Sequence, residues 1–188
     1  MPKQEFPFPM PNGWFCVTRV GDIQNGESKP FTFCEKEVVA FRTESGKVSV
    51  LDAYCGYSGI NLAISGTVEG ETINSPKHGI KWNIDGSCAE IGKDSGVPKE
   101  AMEVTTFSYP CQELNGFIWA WHHLLQEEPS FEIPAIDGFN GDDSKWGKEH
   151  HYEYHINTVL QEIAENDVDQ AHFPKVHGSP SLPETEAI

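Results

Sequence analysis

Ala53-Tyr54-Cys55-Gly56-Tyr57-Ser58-Gly59-Ile60-Asn61-Leu62-Ala63 and, further on, Ser75-Pro76-Lys77-His78-Gly79 are the two runs whose reading decides the fold. Both are glycine-bearing loops, and each holds one side chain suited to a transition metal, Cys55 in the first and His78 in the second. Residues 58–74, seventeen in all, lie between Tyr57 and Ser75. Around the loops the chain is a series of short β-branched or aromatic segments separated by turn residues, which is the pattern of strands. Trp14 to Val20, Phe31 to Lys36, Glu37 to Thr43 and Lys47 to Ala53 precede them, with Glu44-Ser45-Gly46 closing a hairpin. Met102 to Phe107, Tyr109 to Leu114 and Phe117 to His122 follow them, with Asn115-Gly116 as a strong hairpin signal and Asp85-Gly86 as a further turn. Strands at this spacing predict a mainly β protein, an antiparallel β-sandwich with two protruding loops at one tip.

The residues within and beside the loops carry a resemblance. Asp52-Ala53-Tyr54-Cys55, Gly59-Ile60-Asn61-Leu62-Ala63 and Pro76-Lys77-His78-Gly79 resemble the Rieske domain of Rieske-type oxygenases, most closely the sterol-acting group of cholesterol 7-desaturases and 3-ketosteroid hydroxylases. In a Rieske centre two cysteines hold one iron and two histidines the other. The family brings one of each in either loop, as Cys-x-His and Cys-x-x-His. By that resemblance Cys55 and His78 stand at ligand positions, Tyr57 replaces the first histidine and Ser75 the second cysteine. A serine hydroxyl and a phenol are hard groups of high pKa, poor substitutes for thiolate and imidazole. The expectation is therefore that the four positions, Cys55, Tyr57, Ser75 and His78, are empty and that no cofactor is bound. Tyr57 and Ser75 would instead hydrogen-bond across the loops. The alternative is another metal at Cys55 and His78, such as zinc, aided by Cys88.

Beyond the strands, Gly138 to Gly147 reads as a polar linker, so the domains fall as 1–13, an extended arm rich in proline and docked through Phe6 and Phe8; 14–147, the Rieske-like domain; and 148–188, the start of an oxygenase catalytic domain. In the last part His151 to Ile156 alternates as a strand does, and Thr158 to Phe173 reads as a helix with Leu160, Ile163, Ala164 and Val168 roughly on one side. This short strand-helix appendage carries Asp169-Gln170-Ala171-His172-Phe173-Pro174-Lys175-Val176-His177. The resemblance implies that His172 and His177 match the two histidines of a mononuclear ferrous site, and that Asp169 matches the aspartate bridging electron transfer from a neighbouring subunit. The family's later carboxylate ligand has no counterpart up to Ile188, and Glu184 and Glu186 are better read as solvated. The adjacent pairs His122-His123 and His150-His151 point to opposite faces of a strand and do not chelate one metal.

Composition bounds the rest. The 188 residues carry 13 lysines and arginines against 29 acids, and the imbalance is uneven: 15 acids to 10 bases up to residue 123, then 14 to 3. Such a surface disfavours nucleic acid and anionic lipid and suits solubility or a basic protein partner. No run of apolar residues is long enough to span a membrane. The five cysteines lack the spacing of a disulfide framework, and the N-terminus shows neither a signal nor a transit pattern, so a reducing intracellular compartment is expected, cytoplasm or an organelle matrix, the mitochondrial one included.

Three functions follow as expectations. The first is a non-catalytic pseudo-Rieske protein, an accessory subunit held with other subunits in a hetero-oligomer, with two of four cluster ligands lost. The second is one half of a split Rieske-type oxygenase acting on a sterol-like substrate, with iron at His172 and His177 and the remaining carboxylate from another chain. The third is a small redox or metal-binding module with an atypical site at Cys55 and His78.

Overall fold

Val38-Val39-Ala40-Phe41 is an unbroken apolar run, and a strand with apolar side chains on both faces is stable only between two layers. The computed structural model places it so; it describes residues 9–136, 138, 147 and 150–182. Strands β1 (Gly13–Arg19), β2 (Ser28–Phe33), β3 (Lys36–Arg42) and β4 (Val48–Asp52) come first. A short helix α1 (Leu62–Ser65) leads into β5 (Thr67–Glu69), β6 (Thr72–Ser75), β7 (Ile80–Trp82) and β8 (Cys88–Ile91). β9 (Ser108–Tyr109), β10 (Cys111–Leu114) and β11 (Phe117–His122) close the set.

The strands make three antiparallel sheets, ordered β1-β11-β10, β2-β3-β4-β9 and β5-β6-β7-β8. The second lies between the other two. Val38, Ala40 and Val50 pack with Ile118 and Ala120, whereas Val39, Phe41 and Leu51 pack with Leu62, Ile73, Ile80 and Trp82. Alternation along β3 thus feeds two cores, and each large side chain buried there contributes about 1.5–3 kcal/mol. Arg42 ends the strand in the interior, donating to the carbonyls of Ile23 (2.8 Å), Gly46 (2.9 Å) and Val20 (3.1 Å) and pairing with Glu113, so its desolvation is offset by a full set of acceptors.

The Asn115-Gly116 hairpin forms with both residues at positive φ, +52° and +79°, as a two-residue turn between right-twisted strands requires. Expected strands deviate where the backbone cannot pair. Pro110 has no N–H, and Tyr109 to Leu114 divides there into β9 and β10. Met102 to Phe107 is a 3-10 turn over Lys99–Glu103 followed by a single bridge from Thr105 to Ser87. The sheet β5 to β8, read beforehand only as loops and a turn, is built of strands too short to show a period.

The chain divides into two compact units, Phe8–Trp146 and one that carries Gly147–Ile188. The anticipated docking of Phe6 and Phe8, the boundary near Lys148 and the pair Glu184 and Glu186 lie outside the described residues. In the second unit the expected helix is two, α2 (Leu160–Val168) and α3 (His172–Val176), parted where the Asp169 carboxylate accepts the Ala171 N–H at 3.1 Å and competes with helical pairing. His151 to Ile156 forms no strand. No helix among the described residues is long and apolar enough to cross a membrane.

Candidate metal centre

The first loop closes on itself. The Cys55 N–H donates to the Ile60 carbonyl and the Gly59 N–H to the Cys55 carbonyl, both at 2.9 Å. Asn61 caps α1, its carbonyl oxygen accepting the N–H groups of Ala63 (2.9 Å) and Ile64 (3.2 Å). Gly56 presses against the chain after the 3-10 turn: its N–H donates to Thr106 Oγ1 at 3.1 Å, and a Cβ here would lie 2.0 Å from the Thr105 carbonyl oxygen. The second loop turns at Gly79, whose φ of +59° suits glycine and whose N–H and carbonyl bridge Ser75 and Gly92 at 2.9 Å each. Asn61, Gly56 and Thr106 were not singled out from sequence. Gly56 could have been, since glycine between candidate ligands signals close backbone approach.

Cys55 is 2% exposed and its sulfur lies 3.3 Å from Ser58 Oγ. Ser75 is fully buried, and its Oγ has no hydrogen-bond partner among the described residues; His78 Nδ1 is likewise buried and unpartnered. Tyr57 stands edge-on to His78, ring centroids 5.5 Å apart. The expected hydrogen bond between Tyr57 and Ser75 across the loops is therefore corrected: Tyr57 turns to the imidazole and leaves Ser75 Oγ orphaned, a costly state for a buried hydroxyl. Cys88 does not join Cys55 and His78. Its sulfur faces Met102 Sδ at 3.6 Å, and no three His, Cys, Asp or Glu side chains among the described residues converge as metal ligands.

The second unit holds a separate pair. The His172 and His177 rings lie 5.1 Å apart, because the five-residue spacing spans one short helix. The His172 side chain is 13% exposed, its Nδ1 meets the Asp169 backbone carbonyl, and its Nε2 is buried without a hydrogen-bond partner among the described residues. Asp169 Oδ2 lies 3.9 Å from Nδ1, on the other side of the ring from Nε2. Of the other histidines, His122 is edge-on to Phe15 and Phe33, and His123 lies flat beside Trp121. Burial, and to a lesser degree Lys36 and His123, pulls the His122 pKa down.

The sequence profile of the Rieske [2Fe-2S] domain matches residues 13–107, so it encloses both loops and half the chain. The chain belongs to the Rieske [2Fe-2S] domain family. The profile of the 3-ketosteroid 9alpha-hydroxylase C-terminal domain matches residues 120–186, which include His172 and His177. Among full-length relatives, a cholesterol 7-desaturase of Ciona intestinalis is 36% identical over 92% of this chain and 36% of its own length. The oxygenase component of a 3-ketosteroid-9-alpha-monooxygenase of Rhodococcus rhodochrous is 33% identical over 88% of this chain and 43% of its own. The chain thus spans well under half the length of either. The terminal oxygenase of carbazole 1,9a-dioxygenase from Nocardioides aromaticivorans superposes with a TM-score of 0.57 at 20% identity, over 65% of this chain and 34% of that one, which shows the shared fold.

These findings correct two expectations. The non-catalytic accessory protein does not stand, because the similarity to proteins named as a desaturase and a monooxygenase runs through the histidine segment as well as the sandwich. Nor does the expectation of no cofactor, since the matched domain is that of a [2Fe-2S] cluster. That expectation weighed Tyr57 and Ser75 as neutral groups in water, but a bound metal ion is the largest local charge in its site and deprotonates its ligands. The donor set at the tip is one thiol, one imidazole and two hydroxyls. Ser75 Oγ and His78 Nδ1 are left without a hydrogen-bond partner among the described residues, but one thiol, one imidazole and two hydroxyls are not the two thiolates and two imidazoles that hold a Rieske cluster.

Proposed function

We propose that this chain is one half of a Rieske-type oxygenase acting on a sterol-like substrate, an oxidoreductase completed by protein outside these residues. One observation carries the reading: the ring centroids of His172 and His177 lie 5.1 Å apart, with His172 Nε2 buried and without a hydrogen-bond partner among the described residues, inside the segment matched by the ketosteroid hydroxylase profile. Two imidazoles and a carboxylate are the ligand set of non-haem iron oxygenases. Bound at His172 and His177, iron would supply dioxygen chemistry.

The residues of this chain have definable tasks. The Asp169 carbonyl, at His172 Nδ1, fixes that ring so that Nε2 is directed away from the backbone. The Asp169 carboxylate, with 61% of its side chain exposed, is free to meet a neighbouring subunit, which suits a bridging role. The third iron ligand and the apolar cavity for a sterol would come from protein outside these residues. A sterol-like substrate is favoured by the relatives named for cholesterol and 3-ketosteroid, both rigid, largely apolar ring systems.

The test is complementation. This chain is co-expressed with the C-terminal portion of the Ciona relative that lies beyond the matched region, supplied with cholesterol, and the sterols are examined by mass spectrometry. Desaturated product is expected, with loss of at least tenfold in His172→Ala and His177→Ala. A soluble, iron-loaded complex that leaves cholesterol and 3-ketosteroids unchanged refutes the reading.

A further inference from the structure

We infer that the first unit has a ligand site of its own, a cavity where the start of β3 meets β9 and the end of β11, which takes a small planar carboxylate, a single ring bearing one anionic group, with Lys36 as counter-ion. The site shares no residue with the tip or with the His172 and His177 pair, and it does not depend on the oxygenase reading. The cavity measures about 230 Å³ and is lined by Phe107, Tyr109 and Trp121, with Lys36 and His122 among its polar groups. That is below the roughly 300–1,000 Å³ of sites for drug-sized ligands, so it admits one ring rather than a fused sterol skeleton. A core ring fixes the arrangement. Tyr109 and His122 both stand edge-on to Phe33, with ring centroids 5.1 and 6.4 Å away, and Lys36 is the residue paired with Phe33 across the hairpin of β2 and β3. The two turn residues, Cys34 and Glu35, hold φ of +47° and +66° without a glycine, so Lys36 leaves a tight two-residue hairpin rather than a loose loop.

Hydrogen-bonding groups at this cavity lack protein partners among the described residues. The Tyr109 hydroxyl is buried and unbonded in a residue 4% exposed, and burial, with Asp52 and Cys34, pushes its pKa up to about 12, so it stays a donor. The His122 ring touches Phe15 and Phe33 and makes no hydrogen bond. The Lys36 ammonium has neither a carboxylate within ion-pair distance nor a hydrogen bond. Lysine only donates, the phenol donates and a neutral imidazole has one N–H, so the partner they share is an acceptor. Charge selects among acceptors. The chain as a whole is acidic, yet after burial it is Lys36 and then His123 that pull the His122 pKa down, and no carboxylate opposes them. The acids on the lining are placed otherwise: Glu127 lies 3.6 Å from His123 Nε2, and Glu128 is exposed, where salt and solvent screen it. An anion here gains a charge-assisted bond to Lys36 and neutral ones to Tyr109 and His122, while the aromatic walls favour a ring upon it.

The full chain, isotopically labelled, is titrated with benzoate, benzyl alcohol and benzylamine and followed by NMR at the Trp121 indole N–H and the His122 ring proton. Benzoate should shift both signals saturably, benzyl alcohol should bind more weakly, and benzylamine should not bind. Lys36→Gln should weaken benzoate by about tenfold or more, as loss of a charge-assisted bond does, whereas Lys36→Arg retains it. Tyr109→Phe, which keeps the ring, should cost a smaller factor. A bound carboxylate favours the imidazolium, so affinity should rise as pH falls through the His122 titration while benzoate stays ionised, and His122→Gln should remove that rise. The other titratable groups at the cavity are Lys36 from β3, Tyr109 from β9, and His123, Glu127 and Glu128 from the end of β11 and the loop beyond; the His123 ring proton is followed beside that of His122. Lys36 is exposed, and urea unfolding establishes that each variant is folded. No saturable shift up to the solubility of benzoate overturns the inference. So does benzylamine binding as well as benzoate, or a benzoate affinity that Lys36→Gln leaves unchanged, which would mark an adventitious ion only.

Discussion

The two candidate centres sit in opposite settings. The tip stands on a packed floor, where Leu62, Ile73, Ile80 and Trp82 are all fully buried, whereas the helices carrying His172 and His177 bury no residue, and Tyr152, Tyr154 and Val168 nearby are 72%, 76% and 76% exposed. The first site is held by a core that this chain completes by itself. The second is held by local hydrogen bonds and three ring contacts among His172, Phe173 and His177, and its apolar side chains are left uncovered by the described residues. A site can therefore keep its ligand spacing where its supporting shell is incomplete, because spacing is local and a shell is not. The sharpest way to break this contrast is Trp82→Ala. Removing the largest fully buried side chain beneath the tip should destabilise the first unit by about 3–5 kcal/mol, read by urea unfolding. A cost near zero would mean that the tip has no such floor.

Gly56→Ala tests the floor from its edge. The added Cβ would fall 2.0 Å from the Thr105 carbonyl oxygen, so loop and strand must separate, at a cost of about 1–3 kcal/mol. An alanine variant with an unaltered unfolding midpoint would show that the first loop is not pinned there.

How much of this was legible beforehand follows from the range of each signal. Phe117 to His122 and the Asn115-Gly116 turn were read with their observed bounds, because a hairpin is specified by adjacent residues. The apolar run in β3 announced a strand, but not that it would divide two cores. The β5 to β8 sheet escaped, its strands of three and four residues being shorter than any periodicity. At the site, Cys55, His78, His172 and His177 were visible as residue types at a spacing. That Ser75 Oγ would be buried without a partner was not, since it depends on where Tyr57 turns its ring.

Within the first unit, His122 offers a gentler probe. Burial between Phe15 and Phe33 depresses its pKa, so the unfolded chain binds this proton more readily than the folded one. Stability from this group is complete above the ordinary histidine range and declines as pH falls through it towards the lower folded value. The first unit should show a shallow loss of stability on acidification across that window, and His122→Gln should flatten it. An unchanged slope would place the proton uptake elsewhere.

The smallest expected effect lies in the second unit and tests the other side of the contrast. Val168 is 76% exposed at the end of α2, so its truncation to alanine removes little area from any contact, and alanine is the better helix former. In this chain alone Val168→Ala should change stability by less than about 0.5 kcal/mol, as exposed substitutions do. In the complemented oxygenase the same change should weaken assembly, because there the side chain has a surface to meet. Equal behaviour in both states would show that α2 stays exposed in the complemented oxygenase too.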